Sequence, residues 1–315
     1  MKRTSIAIGA AVAALLAGTA LAPQRAAADS PKIVVGYTAS SDFASGFIAA
    51  DQGLFKKRGL DVEFKIVPLN SQLPAAVESG SITLGGTTVS VLLQAVDGGL
   101  DHVAVAGSGI TDNKQTSFGV VAKADLPIVK ADDFVGKRVG APGLGAFLHV
   151  LFRNWLIDNG VDYKKVRFVE VGFPQMADVL KSGNVDAVIT GEPVMGRIVS
   201  AGIGKKVSSY TDNLKVELPV IVYSATRAWA SAHPKEAKAF REAIAEATAI
   251  ANKDHAAVRA AVGKFIKMPP EVIANMKLGR WQAEVTDAGM GAWIDIMKKQ
   301  DMLRSKLDVS KVIAR

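Results

Sequence analysis

The sequence predicts an α/β fold in two lobes, each a mostly parallel sheet flanked by helices. Three observations carry this. Strand-like and helix-like segments alternate through the first two-thirds of the chain. The alternation restarts after Lys123, and one strand, Val220–Tyr223, returns before a tail of helices. The length, 315 residues, suits two domains of about 150 residues each, enough to bury a real core.

The first unit runs from Ile33 to Val67. Ile33-Val34-Val35 reads as a buried strand, followed by a polar loop, Thr38 to Asp42. Phe43–Gln52 reads as a helix with Ser41 or Asp42 as its cap, stopped by Gly53. Gly59 ends the basic turn Leu54–Arg58, and Val62–Val67 completes a β-α-β unit. In such a unit the first loop lies at the carboxyl edge of the sheet, beside helix N–H groups that favour an anion. Ser40–Phe43 is therefore the first candidate for ligand contact.

Next come a helix at Ser71–Ser79, a strand at Ile82–Leu84 ending in Gly85-Gly86-Thr87-Thr88, and a helix at Ser90–Val96. Strands at His102–Ala106 and Phe118–Ala122 close the first block. The second block holds strands at Arg138–Gly140, Val166–Val171 and Val185–Ile189, with helices at Ala146–Asn159, Pro174–Ser182 and Met195–Ala201. From Ala228 onward the pattern is helix only. The resulting division is 1–28 as a signal peptide, 29–123 plus 222–315 as lobe 1, and 124–221 as lobe 2. Two crossings, near Val121–Pro127 and Leu218–Ser224, form the expected hinge.

Lys2 and Arg3 precede the apolar run Ser5–Ala22, and small-residue cleavage patterns end at Ala22 and Ala28, which reads as a secretory signal. The competing reading, a membrane anchor over Ile6–Ala22, is disfavoured by those sites and by Pro23. A periplasmic protein cleaved near Ala22 or Ala28 is expected. Cleavage after Ala28 removes three cations and no acid, so the formal +8 falls to +5, a mildly basic surface. The absence of Cys excludes disulfides, thiolate metal sites and thiol nucleophiles. No basic run interleaved with aromatics supports nucleic-acid binding.

Catalytic signatures are missing: no His-Glu-x-x-His, no Gly-x-Ser-x-Gly, no phosphate loop. Gly143-Leu144-Gly145 begins a dinucleotide-like pattern, but Leu148 stands where its last Gly belongs. His102, His149, His233 and His255 have no metal-ligand spacing, and only His149, one turn into its helix, could face a cleft. No metal and no cofactor is expected. What the chain offers is six small, hydroxyl-rich turns, each after a strand: Ser40-Ser41, Asn70-Ser71, Gly86-Thr87-Thr88, Gly107-Ser108, Gly143–Ala146 and Thr190–Pro193. Any one of them alone is ordinary helix capping. Six at one sheet edge, across two lobes, point to a binding cleft for an anionic or polar ligand. Phe43, Phe47, Phe147 and Phe173 could wall it, though each is more often core.

These residues carry a resemblance. Gly36-Tyr37, Gly46-Phe47, Ala49–Phe55 and Gly59-Leu60-Asp61-Val62 resemble the opening of the periplasmic solute-binding proteins that serve ABC importers for alkanesulfonates, taurine, nitrate and thiamine pyrimidine precursors. Gly136–Gly140 and Asp186–Pro193 resemble the second-lobe motifs of that family. The resemblance implies a type II periplasmic-binding-protein fold whose lobes close on a solute and deliver it to an ABC permease in the inner membrane, as a monomer. It maps ligand contact onto Ser40, Ser41, Asp42, Phe43, Ser71, Thr87, Thr88, Ser108, Gly143, Leu144, Gly145, Ala146 and Glu192. No Lys or Arg sits inside those turns, which argues against a strongly charge-paired sulfonate pocket. The Cys/His apparatus of the pyrimidine-precursor enzymes of this fold is absent. The rival readings are an exported enzyme, with His149 or Glu192 as its only available base, and a sensor acting through a partner.

Overall fold

The structure, a computed structural model, describes residues 32–111, 117–211, 214 and 216–314; the signal peptide expected at 1–28 lies outside them. The first block contains β1 (Ile33–Tyr37), α1 (Ala44–Asp51), β2 (Val62–Ile66), α2 (Leu73–Glu78), β3 (Leu84–Thr88), α3 (Val89–Asp97), β4 (His102–Gly107) and β5 (Gly109–Ile110). The second contains β6 (Phe118–Lys123), β7 (Arg138–Ala141), α4 (Phe147–Asp158), β8 (Arg167–Glu170), α5 (Met176–Lys181), β9 (Ala187–Gly191), α6 (Val194–Ser200) and β10 (Gly204–Ser208). β11 (Ile221–Thr226) then returns, followed by α7 (Arg227–Ala232), α8 (Pro234–Lys253), α9 (His255–Phe265), α10 (Pro270–Asn275), β12 (Arg280–Trp281) and α11 (Asp287–Lys298).

Two five-stranded sheets result, in the orders β2-β1-β3-β11-β4 and β10-β6-β9-β7-β8. In each, four strands point one way and one is reversed: β11 in the first, β6 in the second. β3 and β9, inside their sheets, and β4, at the edge of the first, are buried throughout, as mostly apolar and small-residue runs require when helices cover both faces. The two reversed strands are the ones by which the chain enters the second sheet and re-enters the first. Running backwards, each begins at the edge where its neighbours end, so both crossings arrive at the carboxyl edge of the sheets.

The two crossings lie side by side. Val220 N donates to Gly109 O (2.7 Å), Thr111 N to Leu218 O (2.8 Å), and Leu218 N to the Thr111 hydroxyl (2.7 Å). The tail adds a third tie, because the Trp293 indole donates to Pro219 O (2.8 Å) and the Gln300 amide to Val150 O (3.0 Å).

Several expectations shift. Phe118–Lys123, read as the end of the first lobe, hydrogen-bonds in the second sheet, between β10 and β9. β10 is a strand that the sequence hides, because Gly204-Lys205-Lys206 is charged; it survives at an edge, where lysines discourage further pairing. The tail is not helix only: β12 pairs with β5. The cap of the first helical segment is Ser40, one residue early, because a 3-10 turn over Ser41–Phe43 precedes α1. Phe43 and Phe47 pack with Tyr37 in the core, Phe47 stacking on Phe265 at 4.5 Å. Both were candidate cleft walls.

Candidate functional site

The six hydroxyl-rich turns meet. Ser41 N donates to Glu192 O (3.1 Å) and Asn70 N to Pro142 O (3.2 Å), each bond joining a first-sheet turn to a second-sheet turn. The Asn70 amide donates to Gly86 O (3.2 Å) and accepts from Thr88 N (2.9 Å), tying the turns after β2 and β3. The Ser108 hydroxyl donates to Asp42 O (2.6 Å), tying those after β1 and β4. Glu170 Oε1 accepts from both the Ser71 hydroxyl and Leu144 N, each at 2.8 Å. Gln94 Nε2 reaches across to Gly145 O at 2.9 Å. Gly145 has φ +79°, which favours glycine, and a Cβ there would sit 2.6 Å from the Gln94 amide and displace it from Gly145 O.

Between these turns lies a cavity lined by Thr38, Ser40, Asp42, Asn70 and Thr88 on the first-sheet side. Phe118, Pro142, Ala146, Phe147, Leu148 and Phe173 line the second-sheet side, and Val220 and Ile221 of the returning crossing close it. The space between the walls is about 350 Å³ including its open mouth, whereas the volume open to the centre of a water molecule is about 30 Å³. The smaller figure describes the enclosed part and leaves room for about two waters, so the lobes are drawn close together. The lining falls at the carboxyl ends of β1, β2, β3, β7 and β8 and at the starts of β6 and β11, where open α/β sheets place ligands.

Among the described residues, Asp42 is the one ionisable residue in that lining. Burial pushes its carboxyl up to about 6, against the opposing pull of the Ser40 hydroxyl, which donates to Oδ2, and of its own backbone amide. Gly109 makes room for it, since a Cβ there would lie 2.8 Å from Oδ1. Glu192 is buried beside the cavity, its carboxyl raised by desolvation and steadied by Gly196 N at 3.1 Å. His149 is turned away: Nδ1 accepts from Gly145 N (2.8 Å), the ring meets Phe168 edge-on at 4.4 Å, and burial followed by the Arg153 charge pushes it down to about 3. It is held neutral and does not line the cavity. Among the described residues no His, Asp and Glu cluster could hold a metal, and no helix is long and apolar enough to cross a membrane.

Of the residues singled out in the sequence, Ser40, Asp42, Asn70, Thr88 and Ala146 of the turns and Phe147 and Phe173 of the suggested walls line the cavity. Ser41 and Glu192 form the bridge at its rim, and Ser108 supports Asp42 from behind. Phe43 lies in the core, with its ring over Gly86, and Thr87 turns into the sheet to bond Ser224 at 3.0 Å. Ser71, Leu144 and Gly145 sit on the outer seam, and Gly143 abuts Ser71 and Asn70. Thr38, Phe118, Pro142, Leu148, Val220 and Ile221 complete the lining without having been candidates. For Phe118 and Val220-Ile221 the usable signal was the crossing itself, because the reversed strands begin at the cleft.

A model of the NMT1/THI5 like family matches residues 40–257. The nitrate/nitrite binding protein NrtA of Synechococcus elongatus is 25% identical over 253 residues, covering 70% of this chain and 55% of that protein. The chain thus spans about half the length of the curated relatives it matches. The alkanesulfonate-binding protein SsuA of Xanthomonas axonopodis pv. citri superposes with a TM-score of 0.76 at 18% identity, over 91% of this chain and 99% of that one. The periplasmic nitrate-binding protein NrtA of Synechocystis PCC 6803 gives 0.75 at 18% identity, over 90% and 86%. Those two structures share the two-lobed periplasmic-binding-protein fold with this chain. With more than half of its length matched to the family model, the chain belongs to the NMT1/THI5 like family.

Proposed function

We propose that this chain is the solute-binding component of an ABC-type import system, capturing a small polar or anionic organic solute between its lobes and handing it to a membrane permease. The observation that carries this is the cavity lined by turns of both sheets, with Ser41, Ser108 and Glu192 bracing it from the rim and from behind. The names of the relatives, binding proteins for nitrate and alkanesulfonate, support the same class. A periplasmic location and a monomeric state accompany the reading, and the expected hinge moves from near Val121–Pro127 and Leu218–Ser224 to the crossings where Thr111 and Leu218 meet, since Phe118–Lys123 lies within the second sheet; opening there would admit the solute. Ser40, Asp42, Thr88 and Ala146 are proposed as ligand contacts, and Ser41, Ser71, Ser108, Gly143, Leu144, Gly145 and Glu192 as the set that braces and closes the cavity, while Phe43 and Thr87 belong to the core and the sheet.

The enzyme reading needs a general base at the solute. His149 makes its hydrogen bond away from the cavity and neither it nor Glu192 is part of the lining, so the base of an enzyme would have to be Asp42, the ionisable residue that the lining holds. A thermal-shift screen of organic acids, sulfonates, amines and neutral polar solutes tests the proposal. A true ligand at about a hundred times its dissociation constant should stabilise the fold by about 2.7 kcal/mol. Failure of every class to raise the melting temperature would defeat it.

A further inference from the structure

Two chain crossings let the lobes turn about the line that joins them. A third link between the lobes limits that turn, and the tail supplies one. α11 packs on α3 of the first block and on α4 of the second. Just beyond it, the Gln300 amide donates to Val150 O on α4 (3.0 Å), and Arg153 of the same helix donates to Gln300 O (3.3 Å). Asp97, the last residue of α3, accepts from Arg304 N and Ser305 N, each at 2.8 Å, and from the Ser305 hydroxyl. From Gln300 to Arg304 the chain advances four residues, which reach at most about 14 Å when fully extended. The two anchors, one on each lobe, can part only that far before one of them breaks.

The same helix reaches the cavity from behind. Trp293 is fully buried, its indole N–H on Pro219 O (2.8 Å) and its ring edge-on to Phe147, with centroids 6.0 Å apart. Pro219 immediately precedes Val220 and Ile221, which close the cavity, and Phe147 belongs to the apolar wall. One turn earlier on α11, Gly289 lies so close to Pro219 that a Cβ would stand 2.9 Å from its Cδ. A buried N–H keeps its acceptor, because leaving it unmet is costly, so Pro219 and α11 move together. One side chain thus touches a wall of the cavity and the second crossing at once.

Resting on the solute-binding reading above, we propose that the segment from α11 to Ser305 is a strap across both lobes that sets how far they part, and that Trp293 is its positioning residue, fixing Phe147 relative to Val220 and Ile221. Whatever shifts Phe147, a solute included, is then felt at the crossing through one indole.

Trp293→Phe keeps an aromatic ring beside Phe147 and removes the N–H that Pro219 accepts. In hydrogen exchange on the whole ligand-free chain, the crossing amides of Thr111, Leu218 and Val220 should speed up at least about fivefold more than the amides of β1 and β9, because one hydrogen bond is lost at the crossing. An indole that served stability alone would raise both sets equally. Asp97→Ala frees Arg304 and Ser305 from α3, and should enlarge the radius of gyration in solution scattering while keeping a cooperative melt. That measurement stands by itself if Trp293→Phe fails to fold. An equal rise in both sets of amides, no rise at the crossing, or an Asp97→Ala chain that scatters like the parent would each overturn the strap. None of these would touch solute capture as such, which the wider screen decides.

Discussion

The two walls of the cavity are unlike. The turns after β1, β2 and β3 contribute Thr38, Ser40, Asp42, Asn70 and Thr88, all polar, with Val220 and Ile221 at the start of β11 closing the end; the second sheet contributes Phe118, Pro142, Ala146, Phe147, Leu148 and Phe173, all apolar. Both walls occupy the same topological position, the carboxyl edge of a sheet with one reversed strand. Position therefore fixes where a ligand can sit, and the side chains that happen to end each strand fix what it can be. One wall carries an unmet charge and the other carries packing, so equivalent substitutions in the two should move stability in opposite directions.

The largest expected effect is on the apolar side. Phe147 is buried against Phe118 at 4.8 Å and Trp293 at 6.0 Å between ring centroids. Phe147→Ala removes that contact and leaves a void, which should cost about 3–5 kcal/mol. A fall of about 6–10 °C in the melting temperature is the measurement, at about 2 °C per kcal/mol for a chain of this size. A fall of under 2 °C would mean that the ring is not structural and that the contrast between the walls is smaller than drawn.

The polar side should behave in reverse. Because the Asp42 carboxyl is raised to about 6 from the usual 3.8, its ionised form is disfavoured in the folded chain. Below about 3.8 the group is neutral folded or unfolded and costs nothing. Between about 4 and 6 stability falls as pH rises, and above 6 the whole penalty is present, about 3 kcal/mol as an upper figure. Asp42→Asn removes it, so the ligand-free variant should melt about 5 °C above the parent at pH 8 and close to it at pH 4. A gap that does not widen from pH 4 to pH 8 would show that Asp42 is solvated, and the polar wall would then carry no stored charge.

Much of this was legible in the residues. Ile33-Val34-Val35 and Val185–Ile189 announce buried strands, and the hydroxyl-rich turns announce the cleft edge. Five lining residues, Ser40, Asp42, Asn70, Thr88 and Ala146, follow from that logic alone. The partners of the turns were not legible. That Thr88 N goes to Asn70 and Gly145 N to His149 depends on contacts made after the sheets assemble. A sequence lists donors but not their acceptors, so loops that look like anion nests can be spent on one another. β10 was hidden for a related reason: local charge speaks against a strand, and only the vacant edge beside β6 provides one. The place of β6 itself turned on pairing with β9, which lies more than sixty residues later.

The smallest effect concerns the seam that brings the walls together. Gln94 on α3 donates to Gly145 O at 2.9 Å, while Ser71 and Leu144 share Glu170 Oε1 at 2.8 Å each. These bonds span the two sheets outside the cavity and touch neither wall, so they bear on closure without altering what the cavity accepts. Each is a net contribution of about 0.5–1.5 kcal/mol, which is a two- to tenfold change in the ratio of closed to open chain. Gln94→Ala should therefore enlarge the radius of gyration of the ligand-free chain in solution scattering, and Ser71→Ala combined with it should enlarge it further. The charge on Glu170 makes its bond the stronger of the two, so the second step should exceed the first. If the double variant scatters like the parent, closure is held by the tail, through Trp293 on Pro219 and Gln300 on Val150, and the seam is only a consequence of it.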